Sequence, residues 1–398
     1  MARRNGGFVG QDGLDAPDPP TGITPTAGEL SVSVAFTAPS DAGTSAITGF
    51  VVQLSTDDTA YSAASNTGTS SPIVISSLTA GTAATAKVWA INAYGTSAPS
   101  DASASFTPLA LPRAIIQIAN NDSNTWVTLE FVDMGTSGNT TDFGDLTEAR
   151  VRGSALGSST RGVFGGGYPG SDPSTTSVID YVTIASTGNA TDFGDLSSTR
   201  SYTTGLSSNT RGLFLGGVEA NNSNTDTIEY ITIANTGNTT DFGNLSAAKD
   251  GAAAASPTRG IFLGGNSNVI EYVTIANTGN TTDFGDVSAT LRLATACSSN
   301  TRLLSQGYLG GAVVNTIEYI TIANTGNSTD FGDLTAAVYN SGATSNNTLG
   351  IFMGGVSDRN SIDKVTIATT GNASDFGDMS LNGNRRPQAT SSQHGGIA

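Results

Sequence analysis

The tripeptide Asp-Phe-Gly starts at Asp142, Asp192, Asp241, Asp283, Asp330 and Asp375, at intervals of 50, 49, 42, 47 and 45 residues. Each copy follows a Gly-Asn pair, as in Gly138-Asn139 and Gly326-Asn327. A tripeptide of this kind can hold a catalytic magnesium ion, but such a ligand is needed once. A unit recurring six times at this period is architecture.

A full unit reads SPTRGIFLGG, NSN, VIEYVTIA, NTGN, TTDFGDVS over 256–288. It contains three clear strands and a weaker fourth, such as RLATACS at 292–298. IEYVTIA is apolar on both faces, which describes a strand buried between stacked sheets. No stretch has sustained helical periodicity, and the Gly-, Ser-, Thr- and Asn-rich composition favours short strands and turns. A four-stranded unit of about 45 residues repeated radially predicts propeller blades. The first copy lacks its innermost strand: PRAIIQIA (112–119) reads as a second strand and TWVTLEFVDM (125–134) as a third. The C-terminal NRRPQATSSQHGGIA (384–398) aligns with innermost strands. It is expected to close six blades, removing exposed sheet edges.

These units resemble kelch-like propellers. The likeness lies in the Gly-Gly doublets ending the second strand (Gly216-Gly217, Gly264-Gly265, Gly310-Gly311, Gly354-Gly355) and in the third-strand aromatic (Tyr181, Tyr230, Tyr272, Tyr319). The fourth-strand Trp of that family is absent, and the Phe of Asp-Phe-Gly takes its place. The turn is also similar to the Asp-box of sialidase propellers. Thr140, Thr239, Thr281 and Ser328 fit that spacing, while Ala190 and Ala373 depart from it. Within the turn, Gly and Asn are expected to take positive φ and Asp to accept N–H groups of its own turn. Phe is expected to insert between sheets, and the following Gly to let the strand bend. The six Asn-x-Ser/Thr sequences match a glycosylation acceptor, though turn geometry already accounts for Asn.

Residues 17–108 have a different pattern. SVSVAF points Val32, Val34 and Phe36 one way; TAATAKVWAIN sets Ala84, Ala86, Val88 and Ala90 against Thr85, Lys87, Trp89 and Ile91. Such period-2 strands between turns predict an antiparallel sandwich. The segment resembles a fibronectin type III domain in its PDPP opening, in Phe36 followed by Pro39, in SAITGFVV, and in LTAGTAATAKVWAINAYGTSAPS. The usual second-strand Trp is Phe36 here, and the corner tyrosine falls on Ala84, so the core should be lean. No Arg-Gly-Asp occurs. Residues 1–16 are Gly-rich and lack periodicity, which predicts an extended docking arm lying against a partner. The expected fold is thus all-β: arm 1–16, sandwich 17–108, and a six-bladed propeller 109–398.

The net charge of −16 argues against nucleic acid, which demands clustered Lys and Arg. With Cys297 and His394 alone of their kinds, neither a disulfide nor a usual zinc site is expected. A His-dependent triad would need His394, near a C-terminus expected to be loose. No 18-residue apolar run exists and the opening MARRNGG lacks an apolar core, so neither membrane insertion nor export is expected. No cofactor is expected.

Two polar series recur. Arg113, Arg161, Arg211, Arg259 and Arg302 open the second strands, with Leu349 in the sixth. They are expected to pair with turn carbonyls or the Asp-Phe-Gly carboxylates; the alternative is a carboxylate-binding ring. Glu229, Glu271, Glu318, Asp180 and Asp363 open the third strands. They are expected to form a solvated rim; the alternative is a calcium ring. The links from the Gly-Gly region to the third strand vary in length, which marks the face free to specialise. Tyr168, Asp172, Glu219, Asn222, Asn224, Asp226, Arg359 and Asn360 are the candidate contacts, with amide, hydroxyl and aromatic groups that suit glycans. Arm, spacer and head together resemble phage tail-fibre and other virion appendage proteins. That resemblance implies a multicopy virion-surface protein docked on other virion proteins through 1–16, with its propeller facing host glycans. Capsid decoration and a glycan-degrading propeller are the alternatives.

Overall fold

The computed structural model describes residues 14–61, 66–118, 127–170, 175–356, 359–381 and 386–397. It is all-β, with antiparallel sheets and no helix among the described residues. The chain divides into two compact units, Met1–Leu111 and Pro112–Ala398. Residues 1–13 of the expected arm lie outside the described residues.

In the first unit, strands Thr21–Gly28, Ser31–Thr37 and Ile73–Ile75 form one sheet. Asn66–Gly68, Ile47–Ser55, Thr85–Asn92 and Gly95–Thr96 form the other. The expected alternation holds: Val32, Val34 and Phe36 are buried, as are Ala86, Val88 and Ala90. Both sheets contribute to one core, where the Phe36 and Phe50 rings stand 4.7 Å apart. Beyond Thr96 every third residue is a serine. Ser97, Ser100 and Ser103 each use N–H and hydroxyl to serve Ala90, Val88 and Ala86, so three residues of one segment match two of its neighbour.

The second unit repeats one order of four strands, innermost, second, third, outermost, six times; four repeats are separate four-stranded sheets, and the fourth and fifth join into one eight-stranded sheet, each repeat being termed a sheet. In the second sheet these are Ser154–Gly157, Arg161–Gly167, Thr176–Thr183 and Thr191–Asp195. The outermost strand carries Asp-Phe-Gly in every sheet. The 17-residue strand Thr282–Ser298 is outermost in the fourth sheet and innermost in the fifth. The C-terminal strand Gln388–Ser391 pairs antiparallel with Arg113–Gln117, in register Gln388↔Gln117 to Ser391↔Ala114. It supplies the innermost strand of the first sheet, where the sequence lacks a local one.

Six apolar clusters lie between successive sheets. One of them joins Ile116, Val132 and Met134 of the first sheet to Ile351, Met353 and Phe376 of the sixth. Every Phe of Asp-Phe-Gly is buried. In five sheets it meets the third-strand aromatic edge-on at 5.9–6.2 Å. In the sixth, Lys364 replaces that aromatic and lies 5.6 Å over the Phe376 ring. The innermost strands neighbour one another in sequence, and Gln388–Ser391 lies beside both Gly342–Ser345 and Ser154–Gly157.

Candidate functional site

The repeated polar residues serve the junctions between sheets. Nη1 of Arg113, Arg161, Arg211, Arg259 and Arg302 donates to consecutive Ile and Ala carbonyls of the next sheet, as Arg161 does to Ile233 and Ala234 at 2.9 Å. Each guanidinium also covers the third-strand aromatic of its own sheet at 4.2–4.8 Å. These arginines therefore bind turn carbonyls; among the described residues Arg113 alone of the five also reaches a carboxylate, Asp133.

The acidic series corrects the expected rim. Asp180, Glu229, Glu271, Glu318 and Asp363, with Glu130 in the first sheet, are all buried. Each accepts from the backbone N–H of a Ser or Thr five residues after the Asp of the preceding sheet's Asp-Phe-Gly: Thr147, Ser197, Ser246, Ser288, Thr335 and, for Glu130, Ser380. Ten residues further along, Thr140, Thr239, Thr281 and Ser328 donate a hydroxyl to Glu130, Glu229, Glu271 and Glu318. Where that residue is Ala190 or Ala373, the acid is the shorter Asp180 or Asp363. Arg150, Arg200 and Lys249 neutralise Asp180, Glu229 and Glu271 as buried pairs. Burial raises the Glu271 carboxyl pKa, but Lys249, Thr281 and Ser246 outweigh it and hold it below the usual range. Burial lowers the pKa of the Arg200 guanidinium against the pull of Glu229.

The turn also differs from expectation. None of the six turn Asn residues takes positive φ. Each Asn Oδ1 instead accepts the N–H two residues after the preceding sheet's Phe, from Asp145→Asn189 to Asp378→Asn139. The Asp carboxylates of Asp-Phe-Gly are exposed. Among the described residues, none of those carboxylates accepts a bond from its own turn.

At the opposite end of the sheets the repeat loses its uniformity. Arg152, Tyr202, Asp250, Leu293, Asn340 and Arg386 each lie five residues before the last residue of an innermost strand (Gly157, Ser207, Ala255, Ser298, Ser345, Ser391). Neighbouring positions are tied by backbone bonds: Tyr202 N–H to Arg152 O, Asn340 to Leu293, and Arg386 to Asn340. Five of the six have φ between +48° and +60°. That conformation costs a non-glycine residue about 1–2 kcal/mol, yet Asn340 is the only one of the five suited to it. Retained strain of this kind points to a use for the side chains.

Those side chains form a cationic mouth. The Arg386 and Arg152 guanidinium groups lie 4.4 and 5.0 Å over the Tyr202 ring, and Arg152 lies 5.4 Å over Tyr168. Arg386 donates to Asn340 Oδ1 at 2.7 Å and stands 3.6 Å from Asp250. Burial lowers its pKa, with Asp250 opposing. Arg152 is exposed and, among the described residues, its guanidinium has no carboxylate or carbonyl partner.

Below the mouth is a cavity of about 120 Å³. Ala155, Gly205, Ala253, Ala296, Ala343 and Ala389, one from each innermost strand, leave the space open. Thr204, Thr295, Thr344 and Thr390 are also among the lining residues. The Thr390 hydroxyl is buried with no partner. Toward the other end, Ser207, Ser298, Ser345 and Ser391 donate to the carbonyls of Gly157, Ala255, Ser298 and Ser345 on the preceding innermost strand. The C-terminal segment is held there, contrary to the expected loose end. His394 Nε2 lies 3.0 Å from Gly157 O and 3.2 Å from Ser207 Oγ, and Gly395 N–H donates to Ser298 O. Burial pushes the His394 pKa down to about 4, the Gly157 carbonyl opposing. Cys297 is buried, which pushes its thiol pKa up.

Of the residues singled out from sequence, Tyr168 bridges to Val151 and reaches the mouth. Glu219 pairs with Arg200 in a two-stranded ribbon. Asn222 makes the turn after Glu219, and Asn224 bridges back to Val218. Asp226 accepts the Leu245 N–H through its carbonyl. Arg359 is engaged with Ser361, Thr335 and Asp363, and Asn360 with Met379, so both brace the sixth sheet. Asp172 lies outside the described residues. Sequence reasoning missed Arg152, Tyr202, Asp250 and Arg386; their signal is a change of residue type at one position of the repeat, away from the length-variable links.

Among the described residues no cluster suited to a metal ion occurs, and no helix is long and apolar enough to cross a membrane. No protein-family model matches this chain, and no curated protein matches it.

Proposed function

We propose that Pro112–Ala398 is a six-bladed, kelch-like β-propeller closed by its C-terminal strand. Residues 17–108 are a fibronectin type III-like spacer. The chain is a non-enzymatic virion appendage, in the manner of a tail fibre. Its arm docks on other virion proteins and its propeller faces host surface glycans. The cyclic succession of sheets supports the propeller, since the sixth meets the first through the same Asn, carboxylate and apolar contacts as the others, though Leu349 stands where the others have Arg. The three-plus-four strand order supports the spacer.

The observation that carries a binding role is where uniformity ends. The junction contacts repeat almost unchanged, while the mouth positions carry Arg, Tyr, Asp, Leu, Asn and Arg at a conformational cost. A scaffold whose junctions repeat while the positions around one cavity all differ has specialised that end. A glycan hydrolase would need a second carboxylate beside Asp250, and no Asp or Glu lines the cavity among the described residues.

The test is to probe an array of bacterial surface polysaccharides with the labelled full chain. Binding to a subset without release of reducing ends is expected. Release of reducing ends would establish the enzyme instead. Absence of polysaccharide binding, with labelling of capsids by antibody in negative stain, would establish capsid decoration.

A further inference from the structure

The mouth has a defined chemistry, and it deepens the adhesion reading on which it rests. Arg152 offers an unpaired guanidinium fork on a chain whose net charge is −16. Arg386 stands beside it over the same Tyr202 ring, one edge held by Asn340 and Asp250. Planar guanidinium groups match oxyanions through paired N–H donors. The cavity beneath is lined mostly by small and hydroxyl-bearing residues, with Leu156 and Leu206 the larger apolar members. Such a lining suits a hydroxyl-bearing ring better than an acyl chain.

We propose that this mouth binds a terminal sugar residue carrying an anionic oxygen group, a carboxylate or a phosphate. The oxyanion lies against Arg152 and Arg386, and sugar hydroxyls face Asp250 and the threonine-lined cavity. Arg152, Tyr202 and Arg386, three of the residues held at left-handed φ, are then explained as contacts kept at the mouth.

The test titrates the full chain with D-glucuronate, glucose 6-phosphate, glucose and inorganic phosphate by calorimetry. Glucuronate or glucose 6-phosphate should bind at least tenfold more tightly than both glucose and inorganic phosphate, and which of the two binds identifies the anion. Arg152→Asn should weaken that binding at least tenfold and melt no lower than wild type, because Asn tolerates left-handed φ. Arg152→Gln, which keeps the first part of the stem and an uncharged amide but removes the charge, should lose binding equally. Equal affinity for glucose, equal affinity for inorganic phosphate, or full binding by both variants would overturn the proposal. So would a melting temperature several degrees lower in both variants with binding retained, which would make Arg152 structural. The polysaccharide array separates the two readings. Array binding unchanged by Arg152→Asn sinks this site and spares adhesion. Monosaccharide binding at the mouth with no polysaccharide bound sinks adhesion and spares this site.

Discussion

Gly377→Ala is the substitution most sensitive to how the sixth sheet meets the first. A Cβ at Gly377 would overlap Gly138 O and stand 3.1 Å from Asn139 N, and φ there is +155°. Both obstacles are backbone and cannot swing aside, so the two strands must part by about 1 Å to restore ordinary contact. Three hydrogen bonds cross that gap: Gly138 N–H to Phe376 O at 2.9 Å, Thr140 N–H to Asp378 O at 2.9 Å, and Asp378 N–H to Asn139 Oδ1 at 3.0 Å. Their loss at about 1 kcal/mol each, with about 1–2 kcal/mol of backbone strain, gives a destabilisation of roughly 4–5 kcal/mol. For a unit of this size that lowers Tm by roughly 8–20 °C. Gly285→Ala, at the equivalent junction of the fourth and fifth sheets, meets Gly326 C at 2.6 Å and should cost the same. Gly138→Ala is the control, since its Cβ meets nothing within 4 Å. Scanning calorimetry of the full chain reads all three. A Gly377→Ala transition within about 2 °C of the Gly138→Ala control, with Gly285→Ala strongly destabilised, would refute the reasoning.

Three further outcomes follow from the junctions and the floor. Asp180→Glu and Ala190→Thr should each destabilise alone, by about 1–3 kcal/mol, while the double variant recreates the Glu–Thr pair of its neighbours. A double-mutant cycle by urea unfolding should then show coupling of about 1 kcal/mol or more. Lys249→Met leaves Glu271 buried and unpaired, and should cost about 3–5 kcal/mol in the same assay at pH 7. His394 has a folded pKa of about 4, below its unfolded value near 6.5. The unfolded chain therefore binds the extra proton first, so this stabilisation is complete above pH 6.5 and is lost as pH falls toward 4. The loss is about 2–3 kcal/mol. His394→Asn should flatten that part of the stability–pH curve, with urea midpoints at pH 7 and 4.5 as the readout.

The strands were legible because their signal is local. Val32, Val34 and Phe36 alternate within one segment, and the Ile-Glu-Tyr-Val run declares burial on both faces. The missing innermost strand was legible because every other copy had one. The buried carboxylates were not. An acid at a strand start looks alike whether it meets water or a serine from the preceding sheet, and the Ser197–Glu229 contact joins residues 32 apart. The clue was a paired substitution, Glu with Thr or Ser and Asp with Ala, ten residues away. Turn Asn residues were read as taking positive φ because their own turn seemed to demand it, whereas their side chains bond to the neighbouring sheet. The mouth was hidden for a related reason. Arg152, Tyr202 and Arg386 are scattered over the chain, and only the succession of sheets brings them to one cavity.

Pairing of the C-terminal strand with Arg113–Gln117 underlies the mouth, the floor and the proposed ring, and amide hydrogen exchange of the full chain tests it most directly. The amides of Gln388 and Thr390 and of Ala114–Gln117 should be protected to the same degree as those of Leu213–Leu215 inside the third sheet. Exchange of 388–391 at the rate of an unstructured peptide, with the third sheet still protected, would contradict the account.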